Sequence, residues 1–456
     1  MADVVVIGYG PAGAAAAIAA HDAGAEVVVL EKTEAGGGNC RYAGGFLFDA
    51  PQAADHIDAL SFGRTPRDVV EAYADGLGAL SSWLESLGGA IEPFAPPPGR
   101  LPASFPSWPS FPAGEDIRYA VVGGGEGRRG EALWRVLDGA VRARGIDVRL
   151  GVEVTQWTGA GVRTAAGETV AAHGGVVLAC GGFEGDAGLA DAYLPLGPTA
   201  PVGHGANDGA GLRIAQAAGA ALWHMYGFFG WFAFHAPGFA APFAIDFFAP
   251  GFIMVDNDGR RFCDETGFEV HDRLRALSTY LPDRPNRPAL PSWAVFDDAT
   301  RAAGPLNGLL GTPNDYVWSA DNAAEVAAGW IVAADSPQEL AERTGLAALV
   351  PTIEAYNSSA RRKADPLFGR APETLAPLEG KLYALPTWPG VAGTTGGPRH
   401  DATARVLDPA GEPIPGLYAA GAVSLVWGHL IDHGGGLTDA MVFGRAAGAH
   451  AAERAR

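Results

Sequence analysis

Apolar residues along the chain fall into short continuous blocks and into blocks spaced by three or four, and the two kinds alternate. Val4 to Ile7 is a continuous block, the pattern of a parallel strand buried on both faces. It runs into the turn Gly8-Tyr9-Gly10-Pro11-Ala12-Gly13, a helix of small residues over Ala14 to Ala23, a break at Gly24 and a second strand from Glu26 to Leu30. Further strand blocks appear at Tyr119 to Val122, Ile146 to Leu150, Val152 to Val154, Gly175 to Phe183 and Leu417 to Ala420. Helical spacing marks residues 51–88, through Val69, Val70, Tyr73, Leu77, Leu80 and Leu84, and then 132–144, 210–218 and 437–453. Ser336-Pro337-Gln338-Glu339 is a capping box for a helix over Leu340 to Thr344. Strands alternating with helices predict an α/β protein. Two stretches break the pattern: a proline-rich loop from Glu92 to Pro112 carrying Phe94, Phe105, Trp108 and Phe111, and a linker from Pro282 to Trp293.

The opening unit carries chemistry as well as structure. Gly8 permits a tight turn, Gly10 lets backbone approach a pyrophosphate, and Gly13 lets the helix pack on the strand. The helix N-terminus offers free N–H groups and a partial positive charge to phosphate. Glu31 closes the second strand 18 residues beyond Gly13, where a carboxylate takes ribose hydroxyls. Strand, turn, helix and acid agree on a dinucleotide site of Rossmann type. A second GxGxxG, Gly125 to Gly130, lacks the following strand and acid, so it reads as a turn before a helix rather than a nicotinamide site.

Composition narrows the class. With 456 residues there is room for two or three domains. No apolar stretch reaches about 20 residues, so no membrane helix is expected, and no targeting segment is read at the start, which predicts a cytoplasmic protein. The net charge of −19, with only Lys32, Lys363 and Lys381 as lysines, disfavours nucleic acid and anionic membranes as partners. Cys40, Cys180 and Cys263 form no metal-binding spacing, so no metal is expected. From Ala221 to Phe252 aromatic residues crowd without a helix or strand period, which points to a cavity wall; Trp231, Phe232, Phe247 and Phe248 are the candidates for substrate contact.

A second glycine-rich loop, Gly36-Gly37-Gly38-Asn39-Cys40-Arg41-Tyr42-Ala43-Gly44-Gly45, resembles the loop that wraps FAD in the fumarate reductase and ketosteroid dehydrogenase flavoprotein family. The resemblance extends through Ala179-Cys180-Gly181-Gly182-Phe183, the Asn207-Asp208-Gly209 turn, Gly251 to Glu265, Tyr356-Asn357 with Asp365 to Arg370, Gly393 to Gly397, Ala419 to Ser424 and Gly434 to Ala440. It implies a Rossmann-like FAD-binding domain, residues 1–220 and 351–456, with an inserted α+β cap at 221–350. It also implies FAD contacts at Gly8, Gly10, Pro11, Ala12, Gly13, Glu31, Lys32, Gly37, Gly38, Asn39, Cys40, Gly44 and Gly45, with Val154 near the adenine. Ala179, Gly181, Asp208, Gly421, Gly436, Leu437 and Thr438 complete the set, with Asp208 also a natural N-cap. Family members with covalent flavin carry a histidine in the second loop; none lies between Glu31 and Phe48, so a non-covalent FAD is expected.

The same resemblance implies hydride transfer between a carbon and the flavin while a side chain handles a proton. The chain departs from the fumarate reductases: Glu269 stands where they have an arginine acid, Gly393 where they have a histidine, and Ile431 or a neighbour where they have a substrate arginine. Without that cationic clamp a dicarboxylate is disfavoured. It departs from the ketosteroid dehydrogenases at their proton-removing tyrosine, where Leu430-Ile431-Asp432-His433 stands. His433 is then the candidate base, oriented by Asp432 or a carbonyl, with a histidine's ordinary pKa suited to proton transfer. Its alternative is a loop-binding histidine, and Tyr42, Tyr226 and His235 are rivals. Gly393, Thr394 and Gly435 complete the substrate set, and the helix start at Gly434 to Gly436 can donate to an enolate oxygen. The leading expectation is a dehydrogenase that introduces an α,β double bond into an apolar, cyclic ketone. The alternatives are an ene-reductase and a flavin-binding protein without turnover; electron partner and oligomeric state stay open.

Overall fold

The structure is a computed structural model that describes residues 2–50, 53–94, 107–123, 129–267, 269–278, 290–307, 313–314 and 316–456. Phe105, most of the second GxGxxG and most of the proline-rich loop and of the linker lie outside the described residues. The strands that shape the fold are, in chain order, β1 (Ala2–Ile7), β2 (Val27–Leu30), β3 (Asp147–Arg149), β4 (Thr169–Leu178), β5 (Phe228–Phe234), β6 (Phe243–Ala244), β7 (Phe252–Val255), β8 (Ser292–Asp297), β9 (Leu382–Thr394), β10 (Arg405–Leu407) and β11 (Pro413–Ala419). Two helices matter most, α1 (Pro11–Asp22) and α2 (Gly435–Ala455).

The first sheet runs β10-β11-β4-β1-β2-β3, and its central pairings, from β11 through β4, β1 and β2 to β3, are parallel. Val4, Val5 and Val6 are fully buried at its centre, as their continuous apolar run requires. Residues 161–178 form a hairpin, with Gly161–Thr164 antiparallel to β4. The second sheet runs β6-β5-β9-β8-β7. Its long strand β9 pairs with both β5 and β8 and carries Gly393 back to the first sheet's edge of the cavity. Much of the aromatic run is therefore sheet core: Phe228 and Phe243 are buried and belong to one cluster with Phe296 of β8.

Several elements differ in extent from the sequence reading. α1 starts three residues early because Pro11 takes the first-turn position, where its missing N–H costs nothing. The helical stretch 51–88 is three helices, Ala54–Ser61, Arg67–Gly78 and Leu80–Ser86, interrupted after Ser61 by Phe62 at a φ of 55°. The capping box forms, with Ser336 accepting from the Glu339 N–H at 3.1 Å. Gly251 to Glu265 and Asp365 to Arg370 meet in one buried charge cluster: Arg261 donates to Glu265 and Asp365, and Arg370 lies 3.1 Å from Glu265. Among the described residues no helix is long and apolar enough to cross a membrane.

α1 and α2 pack face to face, and their closeness depends on glycine. A Cβ at Gly448 would lie 2.1 Å from the Ala16 carbonyl oxygen, and one at Gly444 2.5 Å from that of Ala12. Gly448→Ala should therefore force the helices apart and destabilise the fold by about 1–3 kcal/mol, the usual cost of overpacking. Urea unfolding of the variant against the wild type measures it; an unchanged midpoint would show that the helices yield freely.

Candidate functional site

β1 ends at Gly8, whose φ of 99° and whose distance from Ala179 leave no room for a side chain: a Cβ would sit 2.5 Å from the Ala179 oxygen. The chain then turns into α1, whose N-cap, Gly10, supplies no side-chain cap, so first-turn N–H groups are left for a ligand. A long cavity opens there. A Cβ added at Gly10 would meet nothing nearer than 4.0 Å and one at Gly38 nothing at all, so backbone faces open space at both. Gly13 lies behind this wall, packed against the Gly8 carbonyl.

At one end the cavity is lined by Glu31, Lys32 and Val154. Glu31 is held in place: it accepts from the Tyr9 N–H at 2.8 Å and from the Thr33 N–H at 2.9 Å. Lys32 pairs with Asp208 at 2.9 Å. Asp208 itself lies outside this cavity, in a neighbouring shallow pocket, and it caps only weakly: Gly209 is the N-cap, and Asp208 accepts from the Ala210 N–H at 3.1 Å. The middle of the wall is the second glycine loop, through Gly37, Gly38, Asn39, Cys40, Tyr42, Gly44 and Gly45, facing Ala179, Gly181 and Gly421. Burial pushes the Cys40 and Cys180 thiols up to about 12, so neither is a ready thiolate.

The far end is apolar. Phe46, Phe229, Trp231, Ile431 and Leu437 line it, together with Gly393, Gly436, Asp432 and His271. α2 points its N-terminus here, again without a side-chain cap. The remaining candidates from the sequence lie elsewhere for identifiable reasons. Gly435 is pressed against the Trp427 ring, Thr438 bonds Tyr73 at 2.6 Å, and Thr394 accepts from the Phe183 N–H. Phe247 stacks on Phe252 and Phe232 meets Phe262, while Phe248 is half-buried outside the walls. Tyr226 accepts from Arg64 and donates to the Gly428 carbonyl, and His235 is exposed with its Nε2 at the Phe239 carbonyl.

His433 is also off the cavity. It is 3% exposed, meets Ser107 Oγ and lies 3.0 Å from Glu269 Oε1. Asp432 does not orient its ring but accepts from its backbone N–H at 2.7 Å and from Tyr119 at 2.6 Å, and pairs with His56 at 2.9 Å. The residue that does reach the cavity from this cluster is His271, whose Nδ1 is 3.0 Å from both Glu269 oxygens. Burial alone would make Glu269 hard to ionise, but the two imidazoles outweigh it and hold the carboxyl well below its usual range. Burial likewise acts to lower His271, and the Glu269 carboxylate more than reverses that, raising it above an ordinary histidine. His433 is lowered, chiefly by burial, so the two imidazoles beside Glu269 are shifted in opposite directions. The ligand atoms of Glu269, His271 and His433 lie close enough to hold a metal, but they are engaged with one another.

A family model described as an FAD binding domain matches residues 3–438. The chain belongs to this family. FAD is its cofactor, and the cradle fits it: open backbone at Gly10 and Gly38, an uncapped helix start and a fixed carboxylate at Glu31. The NADH:fumarate oxidoreductase of Klebsiella pneumoniae is 28% identical over 490 residues, covering all of this chain but 48% of that protein, so the chain spans about half that relative's length. The 4-oxocyclohexanecarboxylate 2-dehydrogenase of Sinomonas cyclohexanicum is 29% identical over 514 residues, 92% of this chain and 87% of the relative. A crystal structure of 3-ketosteroid delta1-dehydrogenase from Sterolibacterium denitrificans has the same fold, with a TM-score of 0.81 over 99% of both chains at 23% identity.

One buried acid ties the FAD loops together. Glu184 Oε1 accepts from Asn39 Nδ2 at 3.1 Å and from Asn207 Nδ2 at 2.7 Å, both on cavity-lining loops, while Oε2 has no hydrogen-bond partner among the described residues. Burial without a cation pushes this carboxyl from 4.5 up to about 7. Its folded form therefore binds a proton that its unfolded form releases, and stability is lost as pH rises from about 4.5 through about 7. Glu184→Gln should become more stable relative to wild type across that window and hold a constant advantage above it. Unfolding free energies of the two proteins at matched pH values test this; parallel profiles would contradict it.

Proposed function

We propose that this FAD-dependent oxidoreductase introduces an α,β double bond into an apolar, cyclic ketone. The observation that carries the reading is the far end of the cavity, where a helix N-terminus meets aromatic and aliphatic walls and, among the described residues, no arginine or lysine lines that end. A dicarboxylate placed there would lose its hydration and meet no arginine or lysine, only the His271 imidazole already held by Glu269. A ketone needs only one strong interaction at its oxygen, and the Gly436 amide is the donor at hand. Phe46, Phe229, Trp231, Ile431 and Leu437 then bury the ring and exclude water, strengthening that bond. The similarity to a dehydrogenase named for an oxocyclohexane substrate supports the same choice.

Bound FAD supplies the hydride acceptor for the β-carbon. The chain's own part is to hold the ketone, stabilise the enolate oxygen and take the α-proton. The FAD is held without a covalent bond, a reading supported by the absence of histidine from Glu31 to Phe48 and by the high thiol pKa values of Cys40 and Cys180. Residues 1–220 and 351–456 serve as the FAD unit and 221–350 as the substrate cap, except that β9 belongs physically to the second sheet. Reduction of an enone through the same site is the second reading, since the same groups serve both directions.

Anaerobic absorbance titration of the yellow holoenzyme with saturated cyclic ketones, enones and dicarboxylates tests the reading. Bleaching by a saturated ketone and none by succinate is the expected result. If dithionite-reduced enzyme is instead reoxidised by fumarate, the argument from the missing arginine and lysine side chains fails.

A further inference from the structure

Within that reading of the cavity as a ketone site, we propose that His271 is the residue that exchanges the α-proton with the substrate. The group occupies neither of the places the resemblance pointed to: it stands two residues after Glu269, in the stretch that follows the buried Arg261–Glu265 pair.

Geometry singles it out. His271 lies edge-on to Trp231 at a ring distance of 5.0 Å and 6.3 Å from the Phe229 ring, two walls of the apolar end. Its Nδ1 is fixed by both oxygens of Glu269, and its backbone carbonyl accepts from the Gly230 N–H of β5 at 2.8 Å, so both the ring and its backbone are held. Glu269 accepts only, so the nitrogen facing it carries the hydrogen. In the neutral ring that leaves the lone pair on Nε2, which has no hydrogen-bond partner among the described residues and belongs to a residue of the cavity wall. This is the tautomer a base requires, set by a buried carboxylate on the other nitrogen.

In the step, Nε2 of neutral His271 takes the α-proton, the C–H electron pair becomes the C=C bond of an enolate, and the ketone oxygen takes the negative charge. The Gly436 amide is placed to receive that oxygen. For desaturation, the β-hydride then passes to oxidised FAD, which is the oxidant. The imidazolium formed is stabilised by Glu269. The other groups around it are already committed: Asp272 to Arg275 at 2.5 Å, Asp432 to His56 and Tyr119, and His433 to Glu269 and Ser107. Glu269 acts through His271 and is a positioning residue. Because its charge raises His271, proton removal should quicken as pH rises through a value above the ordinary 6.5, and proton delivery should slow over the same range.

The test separates the proton step from the redox step. Holoenzyme with its flavin photoreduced cannot take a hydride, so incubation with cyclohexanone in D2O leaves α-hydrogen exchange as the only reaction, followed by NMR. Wild type should exchange with a one-proton rise above pH 6.5; His271→Gln should exchange at least ~100-fold more slowly. Glu269→Gln should keep the base but move the rise to lower pH, a change that loss of packing alone would not make, and it serves if His271→Gln fails to retain FAD. Exchange by His271→Gln at the wild-type rate, or an unmoved profile in Glu269→Gln, overturns the proposal. Cyclohexanone binding is read separately, from perturbation of the oxidised flavin spectrum in wild type. If it perturbs the spectrum and the variants behave like wild type, only the role of His271 falls; if no ketone perturbs the spectrum, the ketone reading falls and this role with it.

Discussion

The contact between α1 and α2 sets the geometry on which the site depends. Two glycines of α2 lie against carbonyl oxygens of α1, close enough that a single methyl group would collide. Held this way, both helices present uncapped N-termini to one cavity, Gly10 at the nucleotide end and Gly436 at the apolar end. Each terminus brings free N–H groups and a partial positive charge. In the proposed reading one receives pyrophosphate and the other a carbonyl oxygen that gains charge during the reaction. The parallel sheet beneath fixes Gly8 against Ala179, so the turn between strand and helix has little freedom to shift.

Two buried charge clusters divide the remaining work. Arg261, Glu265, Asp365 and Arg370 pair with one another and are not among the residues lining the cavity, so the family-like stretches that carry them are structural. Glu269, His271 and His433 are different, because one of the three opens on the cavity. The imidazoles beside it hold the Glu269 carboxylate below its usual range, and that carboxylate raises His271 and keeps the hydrogen of the neutral ring on Nδ1. The cost of burying the acid is thereby converted into a fixed tautomer at the site.

The nucleotide half of the site was legible in the sequence because each requirement there falls on backbone. Glycines at Gly8, Gly10, Gly37 and Gly38 and the acid at Glu31 stand in a local pattern whose spacing fixes their geometry, and all line the cavity. The substrate half was read less well because its residues arrive from distant segments. His433 sits beside the right loop, but its ring turns inward to Ser107 and Glu269. His271 carried one usable signal, its place just beyond Glu269, the position where the family resemblance expected an arginine. The aromatic run signalled a wall, yet alternation along β5 sends Trp231 to the cavity and Phe232 to the cap core. Phe247 and Thr394 were absorbed by packing and backbone hydrogen bonding, which composition does not reveal.

The central claim is that the β-hydrogen of a saturated cyclic ketone leaves as hydride in this cavity. Its most direct measurement is rapid anaerobic mixing of the holoenzyme with unlabelled and β-deuterated ketone, following loss of the oxidised flavin absorbance. A several-fold slower bleaching with the β-deuterated ketone is the predicted result. Bleaching at equal rates with both, or no bleaching with either, would contradict the account.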